Sequence, residues 1–198
     1  MIQIAITGGI ACGKSLVGAY LAEQGWRVCE ADLVAHDLYT PGGAAYHAVC
    51  DLVGTDIVQV DGSIDRKKLA RIVFEDQALL RALNEILHPL VRDEISKWLE
   101  MCLHAGGLGA AVIIPLLYES GMEKGWDAVV CIGCSPAVQR QRLLSRGLGE
   151  AEIDARIAAQ WPMEKKMALA DYPIWNDGDR ETLSAAIQDV IERVSERK

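Results

Sequence analysis

The run Gly8-Gly9-Ile10-Ala11-Cys12-Gly13-Lys14-Ser15 fits G-x-x-x-x-G-K-[ST], the phosphate-binding P-loop. Backbone N–H groups of such a loop, and of the helix start that follows it, present partial positive charge to a phosphate. Lys14 adds a full charge that can bridge β- and γ-phosphates, and the Ser15 hydroxyl can ligate Mg²⁺. The motif needs a strand before it and a helix after it. Ile2, Ile4 and Ile6 alternate as in a strand entering a buried sheet. Residues 15–24 are helix formers with apolar Leu16, Val17, Tyr20 and Leu21. A chance Gly-rich turn would not bring both flanks with it.

Asp32 is the second candidate. Residues 27–31 read as a second strand ending at Asp32, and ligands gather at the carboxyl ends of parallel strands. A carboxylate there can accept or orient the proton of an attacking hydroxyl. It can equally cap the helix that resumes at Leu33, since Asp is a favoured N-cap. The residues alone leave both readings open.

Arg140, Arg142, Arg146, Arg156, Lys165 and Lys166 cluster in an otherwise acidic chain. Phosphoryl transfer spreads negative charge that guanidinium groups stabilise, and a basic flap over the nucleotide would supply them and exclude water. Arg142 and Arg146 are four apart and so are expected on one helix face. Glu150, Glu152 and Asp154 share the stretch, as on a solvated face. Arg142, and after it Arg146, read as functional; Lys165 and Lys166 read as solvated.

Six cysteines are present. Cys131-Ile132-Gly133-Cys134 is a lone C-x-x-C with no further zinc ligands at suitable spacing, so it reads as two semi-buried thiols at a strand end rather than a redox pair. Cys12 precedes Gly13-Lys14, where a helix start and a cation favour thiolate. It is either the most reactive of the six or a small residue with its sulfur turned into the core. His88-Pro89 reads as a structural histidine and a helix restart. The five scattered tryptophans read mostly as core. Asp51-Leu52-Val53-Gly54 fits the D-x-x-G of GTPases, but no N-K-x-D accompanies it.

The elements that must position these residues follow from periodicity. Strands are expected at 110–114, 128–132 and 172–175. Helices are expected at 33–39, through most of 44–103 with a break at Asp61-Gly62-Ser63, and at 136–146, 150–160 and 179–197. Strands alternating with helices imply an α/β fold with a parallel sheet and helices on both faces. The core is expected at about 1–39, 104–139 and 169–198, with a helical insertion at about 40–103 and a smaller one at about 140–168. The chain has 198 residues, of which 51% are hydrophobic, enough for one domain with insertions and a sizeable core. A net charge of −8 argues against non-specific nucleic-acid binding but not against a phosphorylated substrate. There is no secretory signal, and the longest apolar stretch is interrupted by Pro115; a soluble cytoplasmic protein is expected.

Taken together the motifs resemble the dephospho-coenzyme A kinase family, from Ile4 to about Ile191. Thr7 through Ser15 is similar to that family's T-G-G-I-G-S-G-K-S. Glu30-Ala31-Asp32, His36 and Leu38 resemble its D-A-D-x-x-x-H-x-L. Asp61-Gly62-Ser63-Ile64-Asp65-Arg66, Leu69, Val73-Phe74, Ile86 and His88-Pro89 resemble its central signature. Pro115-Leu116-Leu117-Tyr118-Glu119 is similar to P-L-L-F-E, and Gln139, Arg142, Arg146, Gln160, Ala170-Asp171, Ile174, Asn176 and Gly178 match its C-terminal pattern.

The resemblance implies a P-loop nucleoside-triphosphate-hydrolase-type core with a helical substrate-binding insertion and a lid. The implied reaction is ATP-dependent phosphorylation of the ribose 3′-hydroxyl of dephospho-coenzyme A, the last step of coenzyme A synthesis, with Mg²⁺. Asp32, Lys14 and Arg142 would be catalytic. Gly9, Ala11, Cys12, Gly13, Lys14, Ser15, Leu16, Arg142, Arg146 and Asn176 would bind ATP. Asp32, Asp65, Arg66 and His88 would bind the acceptor, and Ser15 would hold the metal. A monomer or weak homo-oligomer, without nucleic-acid or membrane partners, is expected. Ala11 and Cys12 stand where the family has Gly and Ser, Glu30 where it has Asp, and Tyr118 where it has Phe. Ile113 stands where many members carry an acid, so a Walker-B carboxylate is missing there. A nucleoside monophosphate kinase is the rival enzyme, and a GTPase-like switch the rival of another class.

Overall fold

The apolar runs become the strands of one sheet in a computed structural model that describes residues 1–197. They are β1 (Ile2–Gly8), β2 (Arg27–Glu30), β3 (Gly109–Ile113), β4 (Ala128–Gly133) and β5 (Tyr172–Trp175). Their order is β2-β3-β1-β4-β5, and every neighbouring pair is parallel. β3 and β4 are buried along their whole length, which is why they read as unbroken apolar runs rather than alternating ones. Gly8 pairs with Ile132, and Glu30 and Ile6 both face Ile113, so the carboxyl ends line up where the P-loop leaves β1.

The helices in chain order are α1 (Lys14–Glu23), α2 (Ala31–Leu38), α3 (Tyr46–Val53), α4 (Arg66–Glu75), α5 (Gln77–Ala105), α6 (Pro136–Leu144), α7 (Glu150–Ala158), α8 (Met163–Leu169) and α9 (Arg180–Glu196). The chain divides into two compact units, residues 1–30 with 99–198, and residues 31–98.

In the first unit Ile4, Ile6, Ala111, Ile113, Val130 and Ile132 of the sheet form one core with Val17 and Leu21 of α1 and Leu183, Ile187, Val190 and Val194 of α9. The α9 residues recur at helical spacing, so one stripe meets the sheet. Each such side chain contributes about 1.5–3 kcal/mol of burial. Asp179 caps α9 by accepting from Thr182 N, and Ser135 caps α6 through Val138 N. Trp26 is buried, but Trp175 is exposed and Trp98, Trp126 and Trp161 are half-buried, so the core reading of the tryptophans holds for Trp26 alone.

In the second unit Val58 and Ile64 form an antiparallel bridge around the Asp61-Gly62-Ser63 break, where Asp61 accepts from Ser63 N and Oγ. The restart expected at Pro89 is absent, because α5 runs straight through it. A mid-helix proline removes one backbone bond at a cost of about 3 kcal/mol. Buried Leu83, Leu87, Val91 and Ile95 lie on both sides of it at four-residue spacing and offset that cost.

Two boundaries matter for the site. β2 stops at Glu30 and α2 begins at Ala31, so Asp32 lies inside the first helical turn instead of ending a strand or preceding a helix. Helix α6 stops at Leu144, so Arg146 lies in the turn beyond it and does not share a helix face with Arg142. The short helix α8, opened by Pro162 at its N-cap position, was not expected from periodicity.

Candidate active site

The P-loop backbone is held in conformations that select its residues. Gly8 (φ 137°) and Gly13 (φ 107°) adopt positive φ, and a Cβ on them would overlap the Ile132 carbonyl oxygen and the Asn176 amide respectively. Ala11 (φ 59°) is the one non-glycine residue with positive φ among the described residues. That conformation costs about 1–2 kcal/mol for an L-residue.

Lys14 folds back into this loop. Its Nζ donates to the Gly8 carbonyl at 3.0 Å and the Gly9 carbonyl at 2.7 Å. The helix it starts has no side-chain cap at Gly13 and no acidic residue in its first turn. The first turn therefore adds no carboxylate of its own to oppose the positive end of the helix dipole at the loop. Ser15 and Leu16 follow, both exposed.

Four side chains grip the loop from outside. Gln139 of α6 donates through Nε2 to the Ile10 carbonyl at 2.9 Å, and Gln160 accepts from Ile10 N at 3.0 Å. Arg142 of α6 reaches the Ala11 carbonyl through Nη1 at 3.4 Å. Asn176, buried just after β5, donates from Nδ2 to the Cys12 carbonyl at 2.8 Å. Gln139 and Gln160 were legible only as matches in a pattern; neither amide announces a contact to a loop far away in sequence.

Cys12 is fully buried, with its sulfur in the core, so of its two readings the packed one applies. Its partner is Cys134, and not Cys131 that of Cys134: the Cys134 thiol donates to Cys12 Sγ at 3.2 Å. That hydrogen bond, helped by the Lys14 charge and opposed by burial, lowers the Cys12 thiol to about 7. Burial pushes Cys131 up to about 12.

The basic cluster separates into distinct roles. Arg140 pairs with Glu150 and Asp154, and Arg156 pairs with Glu152 at 2.7 Å, as on a solvated face. Arg146 is exposed. Lys165 lies over the Trp161 ring, 3.2 Å from its centroid. Lys166 departs from the solvated reading: it is 0% exposed, and its Nζ meets Glu119 Oε1 at 2.7 Å and the Pro115 carbonyl at 2.9 Å.

In the second unit Asp32 is exposed in the first turn of α2. Asp65 is the N-cap of α4, accepting from Lys67 N at 3.0 Å and Lys68 N at 3.1 Å, and Arg66 is exposed beside it. His88 is half-buried in α5; burial first, and then the Arg92 charge, lower its imidazole below the ordinary value. It is therefore neutral at pH 7.

For a metal, Ser15 offers an exposed hydroxyl one position after the P-loop lysine. Ile113 is buried and apolar at the end of β3, and no group of three or more His, Cys, Asp or Glu residues suited to a metal occurs among the described residues. A hydroxyl oxygen is a donor of the kind a hard cation takes, with phosphate oxygens and water filling its other positions.

The family model described as CoaE, dephospho-CoA kinase, matches residues 2–182. The chain belongs to the dephospho-CoA kinase family. It is 38% identical over 195 residues to the dephospho-CoA kinase of Shouchella clausii, covering 98% of this chain and 99% of that relative. It is 42% identical over 193 residues to that of Streptomyces avermitilis, covering 96% and 92%. The crystal structure of TT1252 from Thermus thermophilus superposes with a TM-score of 0.82 at 32% identity, covering 97% of each chain. Dephospho-CoA kinase from Campylobacter jejuni shares the fold with a TM-score of 0.69 at 24% identity, covering 98% of this chain and 97% of that one.

As a dephospho-CoA kinase the chain is a transferase that phosphorylates dephospho-CoA at its ribose 3′-hydroxyl with ATP, the last step of coenzyme A biosynthesis. No helix among the described residues is long and apolar enough to cross a membrane. This dephospho-CoA kinase closes its P-loop with Ala11 and Cys12, and both side chains are buried.

Proposed function

We propose that Lys14, Arg142 and Asp32 divide the phosphoryl transfer among them. Lys14 exchanges the Gly8 and Gly9 carbonyls for phosphate oxygens when ATP binds. Gly9, Ala11, Cys12, Gly13, Ser15 and Leu16 enclose the phosphates with backbone N–H groups. Arg142, and Arg146 from the turn beyond it, stabilise charge on the transferring group as the part of the 140–168 lid before residue 160 closes, residues 160–167 staying tied to Glu119 and Pro115. Asn176 acts on ATP through the loop, by holding the Cys12 carbonyl.

Asp32 accepts the proton of the ribose 3′-hydroxyl as that oxygen attacks the γ-phosphorus. Its place two positions beyond the carboxyl end of β2 supports this role, as does its lying within the helix instead of at the N-cap. The helical insertion of about 40–103 takes dephospho-CoA. Arg66 and His88 contact it, and Asp65 orders the start of α4 beside Arg66. Mg²⁺, when bound, neutralises charge on the β- and γ-phosphates, and the Ser15 hydroxyl would hold it. The enzyme works in the cytoplasm as a monomer or weak homo-oligomer, on small molecules and not on nucleic acid, in keeping with its net charge of −8.

The observation that carries this reading is Lys14 Nζ resting on two loop carbonyls at the foot of an uncapped helix. The test is incubation with ATP, Mg²⁺ and dephospho-CoA, followed by mass analysis. Equal amounts of coenzyme A and ADP are expected. ADP release with dephospho-CoA unchanged would refute it.

A further inference from the structure

Lys166 is the largest fully buried side chain among the described residues, 0% exposed to solvent. A buried ammonium is costly unless it is paired and hydrogen-bonded. Here Glu119 Oε1 and the Pro115 carbonyl take two of its three protons, at 2.7 and 2.9 Å. Each acceptor has a second partner. Glu119 Oε1 also accepts from Trp161 N at 2.9 Å, and the Pro115 carbonyl also accepts from Thr7 Oγ1 at 3.3 Å.

These bonds tie three places together. Thr7 lies in β1 one residue before the P-loop motif, Pro115 and Glu119 follow β3, and Trp161 and Lys166 bracket the start of α8. The tie fixes residues 160–167, and that segment is in contact with the P-loop. Gln160 accepts from Ile10 N at 3.0 Å. The Met163 methyl lies so close to Gly9 that a Cβ there would be 2.5 Å from it. Tyr118 and Trp161 stack at 6.4 Å between centroids.

We infer that Lys166 is a positioning residue for phosphoryl transfer: with Glu119 and the Pro115 carbonyl it fixes the segment 160–167 that braces the P-loop at Gly9 and Ile10. It has no contact with the phosphates themselves. Its effect reaches them through Gln160 and Met163, which set the loop geometry that the transition state requires. Misplacement of about 1 Å in such a frame costs about a hundredfold in rate.

The test compares Lys166→Met with the double variant Lys166→Met/Glu119→Leu, reading Tm, kcat and KM for ATP. The single variant leaves a buried carboxylate uncompensated and lowers Tm. The double variant restores Tm in part, because apolar replacement of a buried ion pair is often neutral while Trp161 N loses its acceptor. The inference expects kcat to stay about ten- to a hundredfold low in the double variant, with KM for ATP little changed. Recovery of kcat together with Tm would overturn it, since the pair would then only hold the fold. Should neither variant fold, Glu119→Gln decides. It keeps the shape and an acceptor for Trp161 N but weakens the hold on Lys166. The unpaired ammonium lowers Tm here too, so kcat is read well below that Tm: a fall in kcat with KM for ATP unchanged supports the inference, and wild-type kcat overturns it.

Discussion

The sulfurs of Cys12 and Cys134 lie 3.2 Å apart in the buried layer under the P-loop, one in the loop and the other just past β4. The Cys134 thiol donates and the Cys12 sulfur accepts, which lowers Cys12 and raises Cys134. The Cys134 hydrogen bond, and after it the Lys14 charge, thus favour the charged form of Cys12 against the burial that opposes it.

This makes stability depend on pH in a stated direction. The Cys12 thiol titrates at about 7 in the folded protein against an ordinary value of 9.0. A depressed value contributes stability that is fully present above about 9 and is lost as pH falls through about 7. The Tm of wild type relative to Cys12→Ser should therefore rise between pH 7 and pH 9. Parallel curves for the two proteins would contradict the assignment.

Asn176→Leu removes the donor to the Cys12 carbonyl at a buried site. A buried acceptor left unsatisfied costs about 1–3 kcal/mol. ATP affinity should fall with it, because the same amide sets the loop's path past Gly13. Unchanged ATP binding measured by calorimetry would show that the loop holds its shape unaided.

Much of this frame was legible in the residues. The strands β1, β3 and β4 and the P-loop stand out because buried parallel strands leave apolar runs and the loop needs glycine at fixed places, whereas the edge strands β2 and β5 are half-exposed. What stayed hidden was contact between distant segments. Nothing near Lys166 in sequence reports that Glu119 and Pro115 will neutralise it, so its charge read as solvent-facing. Pro89 reads as a break because the local cost is visible and the buried stripe that overrides it is tertiary. The end of α6 at Leu144, which takes Arg146 off the helix, is set by the turn after it rather than by side-chain periodicity. In the helical insertion, Asp65 looks like a ligand in a motif and its geometry is that of a helix cap.

Asp32→Asn keeps the shape of the side chain and removes the proton acceptor. Turnover should fall by about 10²–10⁴ with ATP affinity nearly unchanged. Loss of thermal stability with turnover intact would instead make Asp32 a structural residue of the first turn of α2.

Arg142→Lys should not be conservative. A guanidinium can span two phosphate oxygens while holding its plane, whereas an ammonium acts as a point charge. The contact to the Ala11 carbonyl, at 3.4 Å, is long enough to be given up for phosphate. Turnover should fall more than ATP binding does, since the contact strengthens toward the transition state. Equal kinetics for Arg142→Lys and wild type would return this residue to the solvated face of Arg140 and Arg156.

The proposed chemistry rests first on the Lys14 ammonium, held at the Gly8 and Gly9 carbonyls, acting on the transferring phosphate. The most direct measurement is the rate of coenzyme A formation by Lys14→Ala at saturating ATP, Mg²⁺ and dephospho-CoA, with folding checked by Tm. A preorganised charge of this kind is worth about 3–4 kcal/mol, so turnover should fall by about 10²–10³ at a Tm near wild type. Wild-type turnover in folded Lys14→Ala would contradict it.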